Sequence, residues 1–279
     1  VTGFNFLDAE LDDWNLYVTG VLSAGEGYLV RPQDSYNGAG GVFNYDFNTG
    51  TLNSGAVTQT LDFNVTDLES PNMLSNPYAS AIDADAFLAA NPEFDALYFW
   101  EHNLAPSPDY PGANTNGNNY SMDDVSLYNA LGGTAATSGG AAPNGVISTG
   151  QGFGVFATAA GTATFNNAMR LTTGNTTSRN NPISRDRLWL NVNSTVYNVS
   201  GNTLLGFVAD ATQGVDSKYD NGRVASKVSL YSHIQGSDRG YAIQAREAFE
   251  DSMTISLGFS SIIEEVTSYK ISLSDFDGE

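Results

Sequence analysis

The sequence contains no cysteine among its 279 residues. This absence excludes disulfides, zinc–thiolate sites, iron–sulfur clusters and cysteine nucleophiles together. Histidine is nearly as scarce: the chain has only His102 and His233, and neither lies in an H-E-x-x-H zinc pattern or follows a G-x-S-x-G elbow. Glycosidase chemistry needs only two carboxylates, which an acidic chain can always supply, but no framework for a catalytic cleft is identifiable. We therefore expect a protein that is not an enzyme.

Basic residues are also few, with 11 Lys and Arg against 31 Asp and Glu and a formal net charge of -20. A field of that sign repels phosphate backbones and anionic lipid headgroups. No run of about 18 apolar residues occurs in the sequence. We therefore expect no nucleic-acid partner and no direct membrane insertion. The chain begins at Val1 without an apolar leader, and we expect it to be a fragment of a longer protein.

The sequence does contain many short runs of β-branched and aromatic residues, separated by clusters of Gly, Asn, Asp, Ser and Thr. This pattern predicts an all-β fold, an antiparallel and jelly-roll-like β-sandwich. A polar stretch over residues 172–186 favours a division into two sandwich domains, 1–182 and 183–279, the second truncated at its C-terminus. Helix is predicted only over Asp83–Ala90, where Asp83 can cap the first turn and Pro92 ends it.

The first predicted domain contains a weak internal echo. A G-x-G-aromatic phrase occurs at Gly25–Tyr28 and again at Gly150–Phe153, each before a Phe-Asn pair at Phe43 and Phe165. The echo predicts pseudo-repeated hairpin units. Residues 101–145 are rich in Asn, Gly, Pro and Ser and far longer than an ordinary connection, which predicts a long surface insertion.

Aromatic residues lie at the start of this insertion and within it, at Tyr98, Trp100, Tyr110, Tyr120 and Tyr128. Aromatic rings can stack on sugar faces or dock peptide chains. The alternative is that they pack into the core and brace the loop. We take them as the candidate ligand-binding residues for a cell-surface or extracellular glycan or protein, and we expect the insertion to carry recognition.

Acidic residues recur among turn formers in the segment 201–223, at Asp210, Asp216 and Asp220. Calcium takes six to eight oxygen ligands, and Asp-rich turns provide both carboxylates and backbone carbonyls. The alternative is that these residues only form turns. They are the candidate metal ligands for a structural Ca²⁺, although none follows the EF-hand pattern.

Several phrases of the sequence resemble, as a set, modules found just before the C-terminal sorting domain in large Bacteroidetes surface and gliding-associated adhesins. The phrases are SNPYASAID (residues 75–83), ALYFWEHN (96–103), ISTGQGF (147–153), TLLGFVADATQGVDSKYD (203–220), YAIQAR (241–246) and SLGF (256–259). The resemblance covers nearly the entire chain. Two departures are Ala79, where the related phrase usually has Pro, and the end at Glu279, where related chains continue through further strands.

The resemblance implies export through the type IX secretion machinery, a location outside the cell or on its outer surface, and no catalytic residues. It favours a non-catalytic module of a secreted cell-surface protein, either an adhesin or type IX secretion cargo, that mediates adhesion or ligand presentation. A second hypothesis is an accessory carbohydrate-binding module of a secreted polysaccharide-degrading enzyme, and a third is a hydrolase. A catalytic domain in the full-length open reading frame would favour the second hypothesis.

Overall fold

Strands make up nearly all the regular structure of the chain. The computed structural model describes residues 20–29, 50–63, 70–110, 120–173, 186–224 and 226–278. The elements in chain order are β1 (Val57–Thr60), β2 (Ser70–Ser75), β3 (Ile82–Asp83), α1 (Ala84–Ala90), β4 (Leu97–Trp100), a 3-10 turn (Met122–Asp124), β5 (Val125–Asn129), β6 (Gly132–Thr134), β7 (Val146–Ile147), β8 (Gly152–Ala157), β9 (Thr162–Phe165), a second 3-10 turn (Asn167–Met169), β10 (Asp186–Ser194), β11 (Val199–Phe207), β12 (Asn221–Gly222), β13 (Val228–His233), β14 (Gly240–Arg246), β15 (Leu257–Ser261) and β16 (Lys270–Asp277).

The all-β prediction is confirmed, and the strands pair antiparallel except for β11, which runs parallel to β14. The predicted helix is present as α1. Asp83 is its N-cap, and Asp83 Oδ1 accepts a hydrogen bond from the Ala86 amide at 2.9 Å. The helix ends at Asn91, because the following Pro92 has no amide hydrogen to continue it.

A five-stranded sheet in the order β2–β8–β4–β5–β6 forms the middle layer. Successive side chains of a strand point to opposite sides of the sheet. Both faces of this sheet carry apolar side chains. Phe99 of β4 belongs to one core cluster and its neighbour Tyr98 to another. On the Phe99 face, Phe87 of α1 packs 5.3 Å from the ring of Phe153 and 4.9 Å from that of Phe165. The helix and the β1–β9 pair therefore cover this face.

The opposite face packs on a seven-stranded sheet in the order β15–β13–β14–β11–β10–β16, in which β12 also pairs with β14. Leu127 and Phe156 of the first sheet share a cluster with Leu204 and Ile243 of the second. The Trp189 indole N–H donates to the Gly133 carbonyl at 2.9 Å and joins the two sheets at their edge. The two sheets thus form a β-sandwich with a common apolar interface.

The two sheets approach closely at Gly206 of β11. A Cβ atom added there would lie 2.7 Å from Leu131 Cδ2, so only glycine leaves room for this fully buried leucine. The Leu131 carbonyl also accepts a hydrogen bond from Arg187 Nη1 at 3.0 Å, and Arg187 forms an ion pair with Asp277. Leu131 is consequently fixed by both its side chain and its backbone.

The predicted domain boundary between residues 182 and 183 lies outside the described residues, so the division into two domains stays a prediction. Residues from both sides of that boundary pack in the shared cluster between the sheets.

The predicted insertion over 101–145 differs from the structure in its second half. Residues 125–129 and 132–134 form β5 and β6 of the middle sheet, and every residue of β5 is buried because β5 lies between β4 and β6. These two short strands were not predicted, because Gly- and Asn-rich segments lie on either side of them. The surface loop that follows β4 therefore spans residues 101–121, of which 111–119 are outside the described part.

The two G-x-G phrases lie on opposite edges of β2. On one edge the Gly27 amide donates to the Met73 carbonyl and the Ser75 amide to the Gly25 carbonyl, both at 2.9 Å. On the other edge β2 pairs with β8, which begins at Gly152. Phe43 is outside the described residues, so the predicted repeat of whole hairpins stays a prediction.

Candidate functional site

Two of the five candidate ligand-binding aromatics lie in the core. Tyr98 is 6% exposed and Tyr128 is 4% exposed. The Tyr98 hydroxyl accepts a hydrogen bond from Asn221 Nδ2 at 3.1 Å, and the Tyr128 hydroxyl donates to Asp85 Oδ1 at 3.0 Å. These two tyrosines therefore brace the fold, which was the alternative interpretation of the sequence, and they contribute no exposed ring.

Two others, Trp100 and Tyr120, meet at the end of β4 and are joined there by His102. The His102 ring stacks on the Trp100 indole with centroids 4.6 Å apart, and Tyr120 meets the indole edge-on at 4.8 Å. We call these three residues the aromatic cluster. The fifth candidate, Tyr110, is separate from it and lies beneath Lys227, whose Nζ is 5.4 Å from the ring centroid.

The loop that carries the aromatic cluster is held by hydrogen bonds to the start of β5. The Glu101 amide donates to the Asp124 carbonyl at 2.8 Å, and the Leu104 amide donates to the fully buried Asp124 carboxylate at 3.1 Å. The Ser126 hydroxyl donates to Glu101 Oε1 at 2.6 Å. Because these bonds bracket His102, the rings are ordered before any ligand arrives.

Two features of the aromatic cluster reduce stability. His102 has a backbone φ of 50°, in the left-handed region that residues other than glycine seldom adopt. The Trp100 indole N–H is buried and has no acceptor among the described residues, which costs about 1–3 kcal/mol. Strain and unsatisfied polar groups concentrate at functional sites, so their coincidence here marks the cluster as the best candidate site in the described residues.

From the sequence, His102 was considered only against catalytic motifs and was not placed in the cluster. The available signal was that His102 follows an aromatic strand end by two residues.

The candidate calcium ligands hold a surface loop together through protein donors. Each of Asp210, Asp216 and Asp220 accepts at least one hydrogen bond from a nearby group. The donors are, in order, the Tyr219 hydroxyl at 2.9 Å, the Thr212 amide at 2.6 Å and the Ala245 amide at 2.8 Å. This loop also buries Ala211 and Tyr219 between the two sheets. These three aspartates therefore stabilise the loop.

The protonation of these carboxyls differs with their surroundings. The hydrogen bond from Tyr219 lowers the pKa of exposed Asp210, whereas burial raises the pKa of Asp220 from 3.8 to about 6. In the described part of the chain, no group of three or more His, Asp or Glu side chains is arranged to hold a metal ion. Calcium binding stays a prediction.

The chain is thus an all-β protein with an exposed aromatic cluster fixed at one end of its middle sheet. It belongs to the family described as a domain of unknown function, DUF8693, whose model matches residues 4–279. No curated protein and no solved structure matches the chain. Among the described residues there is no helix long and apolar enough to cross a membrane.

Proposed function

We propose that this protein is a non-catalytic, secreted cell-surface module that binds an extracellular glycan or protein and so mediates adhesion. The resemblance of its sequence phrases to Bacteroidetes surface adhesins supports export as type IX secretion cargo and a location on the outer cell surface. The binding surface in this proposal is the aromatic cluster, and its preferred ligand is a glycan.

The observation that carries this proposal is the fixed and exposed arrangement of Trp100, His102 and Tyr120. Tyr120 is 40% exposed although it is a large aromatic residue, and it leans on the indole instead of turning into the core. Rings held in this way offer a large apolar contact area at low entropic cost. The flat apolar faces of sugars match such a surface.

Tyr120→Ala provides the test, with Tyr197→Ala as a matched control. Tyr197 is 39% exposed and lies in the turn between β10 and β11, outside the aromatic cluster. The intact chain and both variants would be applied to glycan arrays and to whole host cells. A central aromatic anchor contributes about 2 kcal/mol, so Tyr120→Ala is expected to weaken binding about 30-fold while Tyr197→Ala leaves it unchanged.

Circular dichroism and thermal unfolding would first establish that both variants fold as the parent does. Equal binding by the parent and the Tyr120 variant would reject the aromatic cluster as the binding surface. An equal loss in both variants would show that binding follows general surface hydrophobicity and would reject it as well.

A further inference from the structure

Arg223 is an exposed cation with no carboxylate partner among the described residues. Its Nη1 donates to the hydroxyls of Ser229 at 3.2 Å and Ser260 at 3.1 Å, and in the described part of the chain it forms no ion pair. Other basic side chains of this acidic protein do pair with carboxylates, as Arg187 does with Asp277 and Arg246 with Glu247. The Nε and Nη2 edge of the Arg223 guanidinium thus keeps its hydrogen-bond donors available.

The guanidinium is held in place by a tyrosine that lies along the sheet. Its Cζ is 4.5 Å from the centroid of the Tyr231 ring. Tyr231 can adopt this position because the neighbouring strands have glycine beside it: a Cβ atom at Gly240 would lie 2.5 Å from Tyr231 Cδ2, and one at Gly258 would lie 2.5 Å from its Cζ. The stacking orders the arginine without neutralising its charge.

A cavity of about 40 Å³ between the two sheets opens beside Arg223. Its polar lining includes Ser226, Ser229 and Thr137 together with the guanidinium, and Met122 contributes to its apolar side. The Ser226 hydroxyl donates to the Val228 carbonyl at 2.8 Å, and the Ser229 hydroxyl, 2.8 Å away, donates to Ser226. A space of this size holds a small polar group or a few water molecules.

Two further cations lie close to Arg223, although neither lines the cavity. The Arg239 guanidinium lies against Gly222, next to Arg223, and Lys227 follows Ser226 in sequence. Asp123 opposes them, but its Oδ1 already accepts hydrogen bonds from the Lys227 amide and the Thr137 hydroxyl, both at 3.1 Å. The region therefore places three cations near one another in a chain whose formal net charge is -20.

We propose that Arg223 and the adjoining Ser260 hydroxyl bind an oxyanion, a carboxylate or sulfate group, carried by an acidic glycan. The open guanidinium edge forms the two parallel hydrogen bonds that such a group accepts. The Ser260 hydroxyl, which accepts from Arg223, donates to a remaining oxygen atom. The 3-10 turn Met122–Asp124 links the two sites: Met122 lines the cavity, and Asp124 holds the loop of the aromatic cluster. The glycan part of this inference rests on the proposed function, whereas the oxyanion site does not.

The oxyanion site is tested with inorganic sulfate. Thermal unfolding of the intact chain, of Arg223→Gln and of Arg170→Gln would be compared in sodium sulfate and in sodium chloride at equal ionic strength. Arg170 is a matched control, because it is also exposed, donates to a serine hydroxyl and lies over a tyrosine ring, but it does not line the cavity. Sulfate also stabilises proteins in general, and this effect is common to all three.

With sulfate at ten times its Kd, the parent and the Arg170 variant are expected to gain about 3 °C in melting temperature beyond the Arg223 variant. An equal rise in melting temperature with sulfate in all three proteins would overturn the oxyanion site, regardless of the glycan-binding results.

The glycan is tested with oligogalacturonate, a sulfated galactan oligosaccharide and a neutral galactan oligosaccharide. Arg223→Gln is expected to lower the affinity for the two acidic probes about tenfold and to leave the neutral probe unchanged. Tyr120→Ala is expected to weaken all three. A sulfate effect without preferential binding of either acidic probe would overturn the glycan assignment, and failure of all three probes would also count against the proposed glycan function.

Discussion

Replacing Gly206 by alanine would place a methyl group where the Leu131 side chain now packs. The added Cβ atom would lie 2.7 Å from Leu131 Cδ2 and 2.8 Å from its Cγ, well inside van der Waals contact. Leu131 is fully buried and its carbonyl is bound by Arg187, so it has little room to move away. Overpacking of this kind costs about 1–3 kcal/mol of unfolding free energy.

The assay is guanidinium-induced unfolding of Gly206→Ala, Leu131→Ala and the double variant. Leu131→Ala alone should cost about 2–5 kcal/mol because it leaves a cavity. In the double variant the new methyl group occupies part of that cavity, so the combined loss should be smaller than the sum by about 1–3 kcal/mol.

Gly161→Ala is the control, since a Cβ atom there would meet nothing within 4 Å, and its stability should change by less than about 0.5 kcal/mol. Strictly additive losses, or a Gly206 variant as stable as the Gly161 variant, would refute this account of how the sheets pack.

Three further outcomes are expected. Asp83→Ala should lower the unfolding free energy by about 1 kcal/mol because α1 loses its N-cap acceptor; no change in a denaturant titration would contradict the capping role. Asp220 keeps its proton in the folded state up to about pH 6 but ionises near pH 3.8 when unfolded, so its contribution to stability is complete below about pH 4 and is lost as the pH rises to about 6. Asp220→Asn should remove this decline in the unfolding free energy between pH 4 and pH 7, whereas Asp210→Asn should leave the decline in place. Parallel curves of unfolding free energy against pH for the parent and Asp220→Asn would argue against this role of Asp220. If Asp210, Asp216 and Asp220 bind calcium, millimolar calcium should raise the melting temperature over that in chelator, and identical melting temperatures would reject the site.

Local signals in the sequence were sufficient to predict some elements of the fold. The helix was predicted to within one residue because its cap, Asp83, and its terminator, Pro92, are neighbours in sequence and act through the backbone alone. The strands β5 and β6 were missed, because each is short and a loop-like composition surrounds it. The parallel pairing of β11 with β14 had no local signal, since it depends on contacts between residues about 40 positions apart, such as Leu204 and Ile243.

The candidate sites, like the fold, could be predicted only where the signal is local in the sequence. Five aromatic residues were grouped by composition, but the structure brings together only Trp100 and Tyr120 of the five. Composition does not distinguish Tyr128, which lies in a buried strand, from Tyr120, which stays outside. The Arg223 site was not predicted from the sequence, because its hydroxyls come from Ser229 and Ser260, which only sheet pairing brings together. The signal available for it was two cations and no acidic residue between Asn221 and Ser237 in an otherwise acidic chain.

The pairing of Gly25–Gly27 with β2 has a consequence for association between molecules. An outermost strand displays a row of unpaired amide and carbonyl groups that can recruit a strand from another chain. Here the Met73 carbonyl and the Ser75 amide are already bonded to this short segment, and Pro71 on the same strand has no amide hydrogen to offer. Residues 23–27 therefore act as a cover for the rim of the middle sheet. A shortened chain starting after Tyr28 would uncover that rim, and we expect it to form dimers or larger aggregates through strand addition at concentrations where the longer chain stays monodisperse.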